Sequence, residues 1–265
     1  MNKIKKTIVD NLNSIEHEHD VHILWAIESG SRSWGFESPD SDYDVRFIYV
    51  HKPDWYLSVF ENRDVIEIPV SRELDISGWD LRKTLRLFKR SNPVLMEWLV
   101  SPLVYKRSGS FRNHMLRIAP RYFSRKACAY HYLHMAQNNY KREINQKKLV
   151  RLKKYFYVLR PLINILWLKE KDTLVPMSFV ETLKQTKVPS AARKAIDCLL
   201  AQKKQTSEMG RGPRIPAIDK FIDTCLKIAD KYCIEAPVYT IPTDTMNKLF
   251  LSILNETWNA PVLQN

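Results

Sequence analysis

Residues 26–50 read AIESGSRSWGFESPDSDYDVRFIYV, and the order of signals in this stretch decides the fold. Val21 to Ile27 is a compact apolar run of strand length, ended by Ser29-Gly30-Ser31. Polar turn residues, Glu37-Ser38-Pro39-Asp40-Ser41, lead into a second strand-like run from Tyr43 to Val50. Ten residues separate Ser31 from Asp42, and Asp42-Tyr43-Asp44 sets two carboxylates at i and i+2. Side chains alternate across a strand, so both acids point to one side. Two such charges repel unless a cation joins them, and magnesium takes carboxylate and phosphate oxygens together. Gly30 lets the backbone approach a ligand closely, and the turn N–H groups with the Ser31 hydroxyl can hold phosphate oxygens. Arg32 and Ser33 lie where that turn meets phosphate, although Arg32 also reads as a solvated turn residue. Arg46 shares the strand face of the two acids, either as their partner or as a phosphate contact. Ser-Pro-Asp-Ser-Asp taken alone reads as a capped turn; the Gly-Ser element beside it favours chemistry.

Working outward, a third acid is expected from a neighbouring strand. Asp75 in Leu74-Asp75-Ile76 fits, with Glu73 as the competing candidate. Three acids could hold two metals that clamp the attacking and leaving oxygens of a phosphoryl displacement. Residues 3–16 carry Ile4, Ile8, Leu12 and Ile15 at helical spacing. A third extended run covers Val65 to Ile76, interrupted near Pro69. Ser77 to Asp80 reads as a capping box, with Ser77 as the N-cap of a helix over Leu81 to Lys89. Asn92-Pro93 starts the next helix. After about residue 106 strand signals fade, and helices are expected at 110–119, 122–144, 147–170, 178–185, 190–206, 216–232 and 243–257. Pro176, Pro189, Pro213, Pro216 and Pro237 punctuate them. The fold class is α+β: a mixed sheet with flanking helices over 1–107, then an all-helical domain over 108–265.

Charge divides along the same line. Residues 1–105 hold 13 basic and 17 acidic groups, and residues 106–265 hold 29 and 12, within a net charge of +13. Basic surface of that size attracts polyanions, nucleic acid among them. Lys147, Lys148, Arg151 and Lys154 fall within about a third of a turn on the expected helix. Tyr155, Phe156 and Tyr157 interleave with them, a composition suited to stacking bases and tracking phosphates. The alternative is an amphipathic helix with its aromatics inward and its lysines solvated. His17, His19 and His22, like His131 and His134, read as surface or packing residues and are assigned no metal. The four cysteines lie far apart, without a Cys-x-x-Cys pair, which points to reduced thiols and a cytoplasmic location. No apolar run approaches a membrane span, and the N-terminus lacks the apolar core of an export signal.

Gly30-Ser31, the gap of ten, Asp42-x-Asp44 and the later Asp75 resemble the signature of the DNA polymerase beta nucleotidyltransferase superfamily. Residues 26–50, ELDISGWDLRKTLRLFKRSNPVLMEWLVSPLVY and KKYFYVLRPLINILWL are similar to the bacterial RlaP/YcgL-type family of predicted nucleotidyltransferases. The resemblance covers roughly residues 20–170, with a weaker helical match beyond. It implies a nucleotidyltransferase fold, metal-dependent transfer of a nucleotidyl group and an association with RNA repair. It also raises Lys154 and Arg160 as contacts to the nucleotide. The expectation is an enzyme that takes ATP or another nucleoside triphosphate with two Mg²⁺ ions, Mn²⁺ being the substitute. Asp42, Asp44 and Asp75 form its catalytic and metal set, and Gly30, Ser31, Arg32, Ser33, Lys154 and Arg160 its nucleotide-binding set. The acceptor hydroxyl is expected on RNA held by the basic half, the alternatives being a protein, a small molecule, or binding without turnover.

Overall fold

The first helix, α1 (Lys3–His19), buries Ile8, Leu12 and Ile15 at spacings of four and three, one face of a 3.6-residue period. This computed structural model describes residues 3–69, 73–171, 173–206, 209–236 and 242–259. After α1 come β1 (Val21–Glu28), the single turn α2 (Ser31–Trp34), β2 (Tyr43–His51), β3 (Val65–Glu67) and β4 (Leu74–Asp80). Then follow α3 (Leu81–Lys89), α4 (Pro93–Leu99) and β5 (Val104–Arg107). The five strands form one mixed sheet in the order β3-β4-β2-β1-β5. β2 and β4 run parallel, and every other pair is antiparallel.

The sheet separates two cores. Val45, Phe47 and Tyr49 of β2 pack with α1 on one face, while Ile48 and Val50 join the helices on the other. That period-two alternation puts Asp44 and Arg46 on the helical face. In β1 a register shift between Ile23 and Trp25 re-phases the alternation, so Ala26 faces α1 and Ile27 the helices.

Two local expectations meet different outcomes. Asn92 caps α4, its Oδ1 accepting the Leu95 N–H at 3.1 Å, with Pro93 at the first position. Ser77, by contrast, is no cap: Ser77 to Asp80 continue β4, paired with β2 through Tyr49↔Asp80. Asp80 itself caps α3, accepting the Arg82 N–H at 2.7 Å. The parallel ladder with β2 outweighs the local capping signal.

The second half holds α5 (Phe111–Tyr122), α6 (Arg125–Glu143), β6 (Leu149–Arg151), α7 (Lys154–Glu170), α8 (Phe179–Gln185), α9 (Ser190–Gln205), β7 (Arg211–Pro213), α10 (Pro216–Glu235) and α11 (Thr243–Trp258). Among its described residues the regular elements are helices except for the ribbon of β6 and β7, which the sequence does not announce. The helix expected over 147–170 therefore begins only at Lys154, and Lys147, Lys148, Arg151 and Lys154 do not share a helix face. Gln146 takes a φ of 58° and turns the chain out of α6 before the ribbon pairs. Pro237 lies outside the described residues. Helix α7 is buried nearly all round, from Tyr155 to Leu168, and is the centre of the helical half. One cluster of buried side chains runs from Leu24 and Ile48 on the sheet to Leu254 on α11, so the acidic and basic halves share a core. Among the described residues no helix is long and apolar enough to cross a membrane.

Candidate active site

The turn after β1 brings backbone against a carboxylate. Gly30 has φ 64° and ψ −156°, a region that side-chain-bearing residues avoid. A Cβ placed there would lie 1.8 Å from Asp44 Oδ2, so the acid occupies the space that glycine leaves. The Asp44 carbonyl accepts the Ser29 N–H at 2.7 Å, and the Asp44 N–H donates to Glu28 Oε1 at 2.9 Å. Glu28 is fully buried and also accepts the Tyr105 hydroxyl. Burial pushes its carboxyl up to about 7, against the hydrogen bonds that favour its charge. Glu28 thus sets the backbone of the acid-bearing strand. Its signal in the sequence was an acid ending an otherwise apolar strand, a signal that the motif beside it hid.

A cleft of about 540 Å³ opens above this turn. Its walls include Ser29, Gly30, Ser31, Asp42 and Asp44 from the sheet edge, and Lys153, Phe156, Tyr157 and Lys203 from the helical half. Lys203 Nζ donates to Ser38 Oγ at 2.6 Å, tying α9 to the loop that leads into the acids. Its ammonium is pulled below the ordinary lysine range by burial. Phe36 stacks on Phe156 with ring centroids 4.8 Å apart and closes the floor between the halves. The cleft combines carboxylates, lysines and aromatic rings, within the size range of small-ligand sites.

An arginine bridges two of the three acids. Register pairs Asp44 with Asp75 across β2 and β4. Arg46 Nη2 lies 2.7 Å from Asp75 Oδ2 and 3.5 Å from Asp44 Oδ1. Burial raises the Asp44 pKa; Arg46 opposes the shift, while Asp75 and Asp42 add to it. Asp42 and Asp44 line the cleft, whereas Asp75 meets it through Arg46. Among the described residues no three His, Cys, Asp or Glu side chains stand grouped around one point, and Asp75 is turned to Arg46. Arg46, two residues after Asp44 on the same strand face, bridges the Asp44 and Asp75 carboxylates and offsets one of their two charges. Asp42 and Asp44 both line the cleft, and carboxylate oxygens are the donor type that a divalent cation such as magnesium takes. Glu73 lines a separate hollow with Arg32 and Lys3.

The expected nucleotide set divides. Gly30 and Ser31 line the cleft. Arg32 does not: it donates to the Ser41 carbonyl at 2.6 Å and the Asp42 carbonyl at 3.3 Å, and it lies 3.8 Å over the Tyr43 ring. It clamps the acid-bearing loop. Ser33 is buried and donates to the Glu28 carbonyl at 2.6 Å, holding the turn from behind. Lys154 sits 3.8 Å from Glu143 and 4.7 Å over Tyr157, and the cleft lysine is its neighbour Lys153. Arg160 is buried beneath the cleft floor in an ion pair with Glu97 at 2.7 Å, its guanidinium 4.2 Å over the Trp34 ring. The α7 helix carries it inward, so Arg160 is withdrawn from the phosphate contacts. Sequence reasoning missed Lys153, whose cue was adjacency to Lys154, and Lys203, which had none.

Comparison with known proteins gives the family. Residues 4–252 match the family described as RlaP, the RNA repair pathway DNA polymerase beta family. The uncharacterized protein YcgL of Bacillus subtilis (strain 168) is 41% identical over 256 residues, covering 96% of this chain and 98% of that protein. A crystal structure of a nucleotidyltransferase-like protein from Exiguobacterium sibiricum 255-15 aligns with 94% of this chain and 80% of its own, at 10% identity and a TM-score of 0.31. So loose a likeness bears no weight. With the match extending over nearly its whole length, the chain belongs to the RNA repair pathway DNA polymerase beta family.

Proposed function

We propose that the protein transfers a nucleoside monophosphate from a nucleoside triphosphate, ATP foremost, to a hydroxyl on RNA. The observation that carries this reading is the fit of Asp44 into the Gly30 space, at one wall of a cleft whose other wall bears lysines. Lys153 and Lys203 hold the outer phosphates, and the half-exposed Tyr157 offers its ring to the base. Ser29, Gly30 and Ser31 bring turn backbone and hydroxyl to the phosphate chain. Asp42 and Asp44 would hold magnesium or manganese, which would polarise the α-phosphate when bound. Arg46 turns from Asp75 toward a substrate phosphate, and the freed Asp75 accepts the proton of the attacking hydroxyl. The new bond joins that oxygen to the α-phosphorus. The bond to the bridging oxygen of the β-phosphate breaks, and pyrophosphate leaves with its electron pair.

The RNA acceptor rests on the family's association with RNA repair and on the basic second half. Incubation with α-labelled ATP, Mg²⁺ and pooled RNA tests the reading. Label on RNA that disappears with Asp42→Asn is the expected result. Label on protein or a small molecule replaces the acceptor. No Asp42-dependent label on any acceptor, with any of the four triphosphates, refutes the proposal.

A further inference from the structure

Strands β6 and β7 set two cations face to face. Arg151 pairs directly with Arg211, and Leu149 with Pro213. In each strand the middle residue is buried and the outer two are exposed, so these four side chains share the outward face of the ribbon. Like charges directly opposite on a ladder repel. Neighbouring cations are neutralised: Arg142 and Lys154 lie on Glu143, and Arg214 on Asp219. Arg151 and Arg211 form no ion pair among the described residues. Between them opens a hollow of about 300 Å³, lined also by Lys153, Met209 and Gly210. Lys153 lines the main cleft as well, so one lysine joins the two spaces. Leu149, 59% exposed, forms with Pro213 an apolar step beside the charges.

We propose that the outward face of this ribbon binds the backbone of a single-stranded nucleic acid. Arg151 and Arg211 take phosphate oxygens, Leu149 and Pro213 carry a flanking sugar or base, and Lys153 marks the way into the cleft. Guanidinium forks suit phosphate oxygens, and an anion between the two arginines removes their repulsion. An apolar contact beside a phosphate calls for an unstacked base, which a duplex withholds. The role of the strand as acceptor rests on the nucleotidyl-transfer reading; its binding at the ribbon does not.

The test uses the full chain, a fluorescent single-stranded RNA of about 20 nucleotides and anisotropy titrations over a range of salt. Replacing both arginines (Arg151→Gln with Arg211→Gln) is expected to weaken binding about tenfold or more at low salt, as for the removal of hydrogen bonds between charged groups. The log–log salt slope is expected to flatten by about 0.7 when one phosphate is no longer neutralised, or about 1.4 when two are not. Arg151→Lys with Arg211→Lys retains most of the slope. Both arginines are exposed and repel each other, so thermal melting of the glutamine variant does not fall below the wild-type value. An unchanged affinity and slope overturns the proposal, as does equal affinity of the wild type for duplex RNA. A glutamine variant that no longer binds a fluorescent ATP analogue but still binds RNA assigns the hollow to the donor triphosphate and equally overturns it. Asp42→Asn separates the two readings, because it abolishes label transfer in the proposed reaction and leaves the RNA salt slope intact.

Discussion

Replacing Arg160 with methionine separates a core ion pair from a nucleotide contact. Glu97 is 3% exposed, and its carboxylate accepts from Arg160 Nη1 at 2.8 and 2.7 Å, the Tyr132 hydroxyl at 2.6 Å and Asn164 Nδ2 at 3.1 Å. Methionine keeps much of the apolar stem and removes the guanidinium. Glu97 then faces two neutral donors, and breaking one side of a buried pair costs about 3–5 kcal/mol. That is a large part of the roughly 5–15 kcal/mol typical of a domain, so Arg160→Met should lower the urea midpoint sharply. Glu97→Leu combined with Arg160→Met removes both charges, and replacing a buried pair with apolar groups is often neutral or stabilising by about 1–4 kcal/mol. Against this stand the Tyr132 hydroxyl and Asn164 amide left without acceptors, each at about 1–3 kcal/mol. The double variant should therefore lie within a few kcal/mol of wild type and above Arg160→Met, with a coupling energy of about 2 kcal/mol or more. Urea denaturation followed by tryptophan fluorescence reads the wild type, the double variant and both single variants, Glu97→Leu completing the cycle, since Trp34 lies under the Arg160 guanidinium. If Arg160→Met stays within about 1 kcal/mol of wild type and weakens nucleotide binding about tenfold, the buried-pair argument is wrong and Arg160 returns to the phosphate site.

Gly30→Ala should destabilise the fold by about 1–3 kcal/mol, because its dihedrals lie in a glycine region. It should also cut label transfer about 100-fold by pushing Asp44 aside, and wild-type turnover in this variant would refute the packing of that acid on Gly30. His51 stacks on Trp55 with centroids 3.9 Å apart, and burial, aided by His19 and opposed by Asp20, lowers its pKa to about 4. The unfolded chain then binds the extra proton from pH 6.5 downward while the folded one resists until about pH 4. Stability contributed by neutral His51 is complete above pH 6.5 and is lost as pH falls through that window. His51→Gln should flatten the pH dependence of the urea midpoint between pH 4 and 6.5, and an unaltered profile would contradict the assigned burial.

Parts of this protein are written locally. Alternation along Tyr43 to Val50 told which residues share a face, and it put Asp44 and Arg46 together before any partner was known. The Asn92-Pro93 start of α4 rests on one side chain and one ring, and both act within the first turn. Ser77-Gly-Trp-Asp80 shows the limit of such signals. The same four residues can cap a helix or extend a strand, and the ladder with β2 decided for the strand. Lys147 to Lys154 shows it again, since β6 exists only because residues 211–213 lie beside it.

The candidate site divides in the same way. Spacing and residue type in residues 26–50 determined the strand, the glycine turn and the side to which Asp44 points, because those follow from the period of an extended chain and from the missing Cβ. Asp42, by contrast, lies just before β2 and reaches the cleft from the loop. Packing decided the rest. The parallel register of β2 with β4 set Asp75 against Arg46 in place of an open three-acid cage. The burial of α7 turned Arg160 to Glu97 and left Lys153 at the cleft, and α9 brought in Lys203 from 165 positions away in the chain to meet Ser38. A local pattern carries the direction of a side chain but not the identity of what it will face, which is settled only when distant apolar surfaces leave water together.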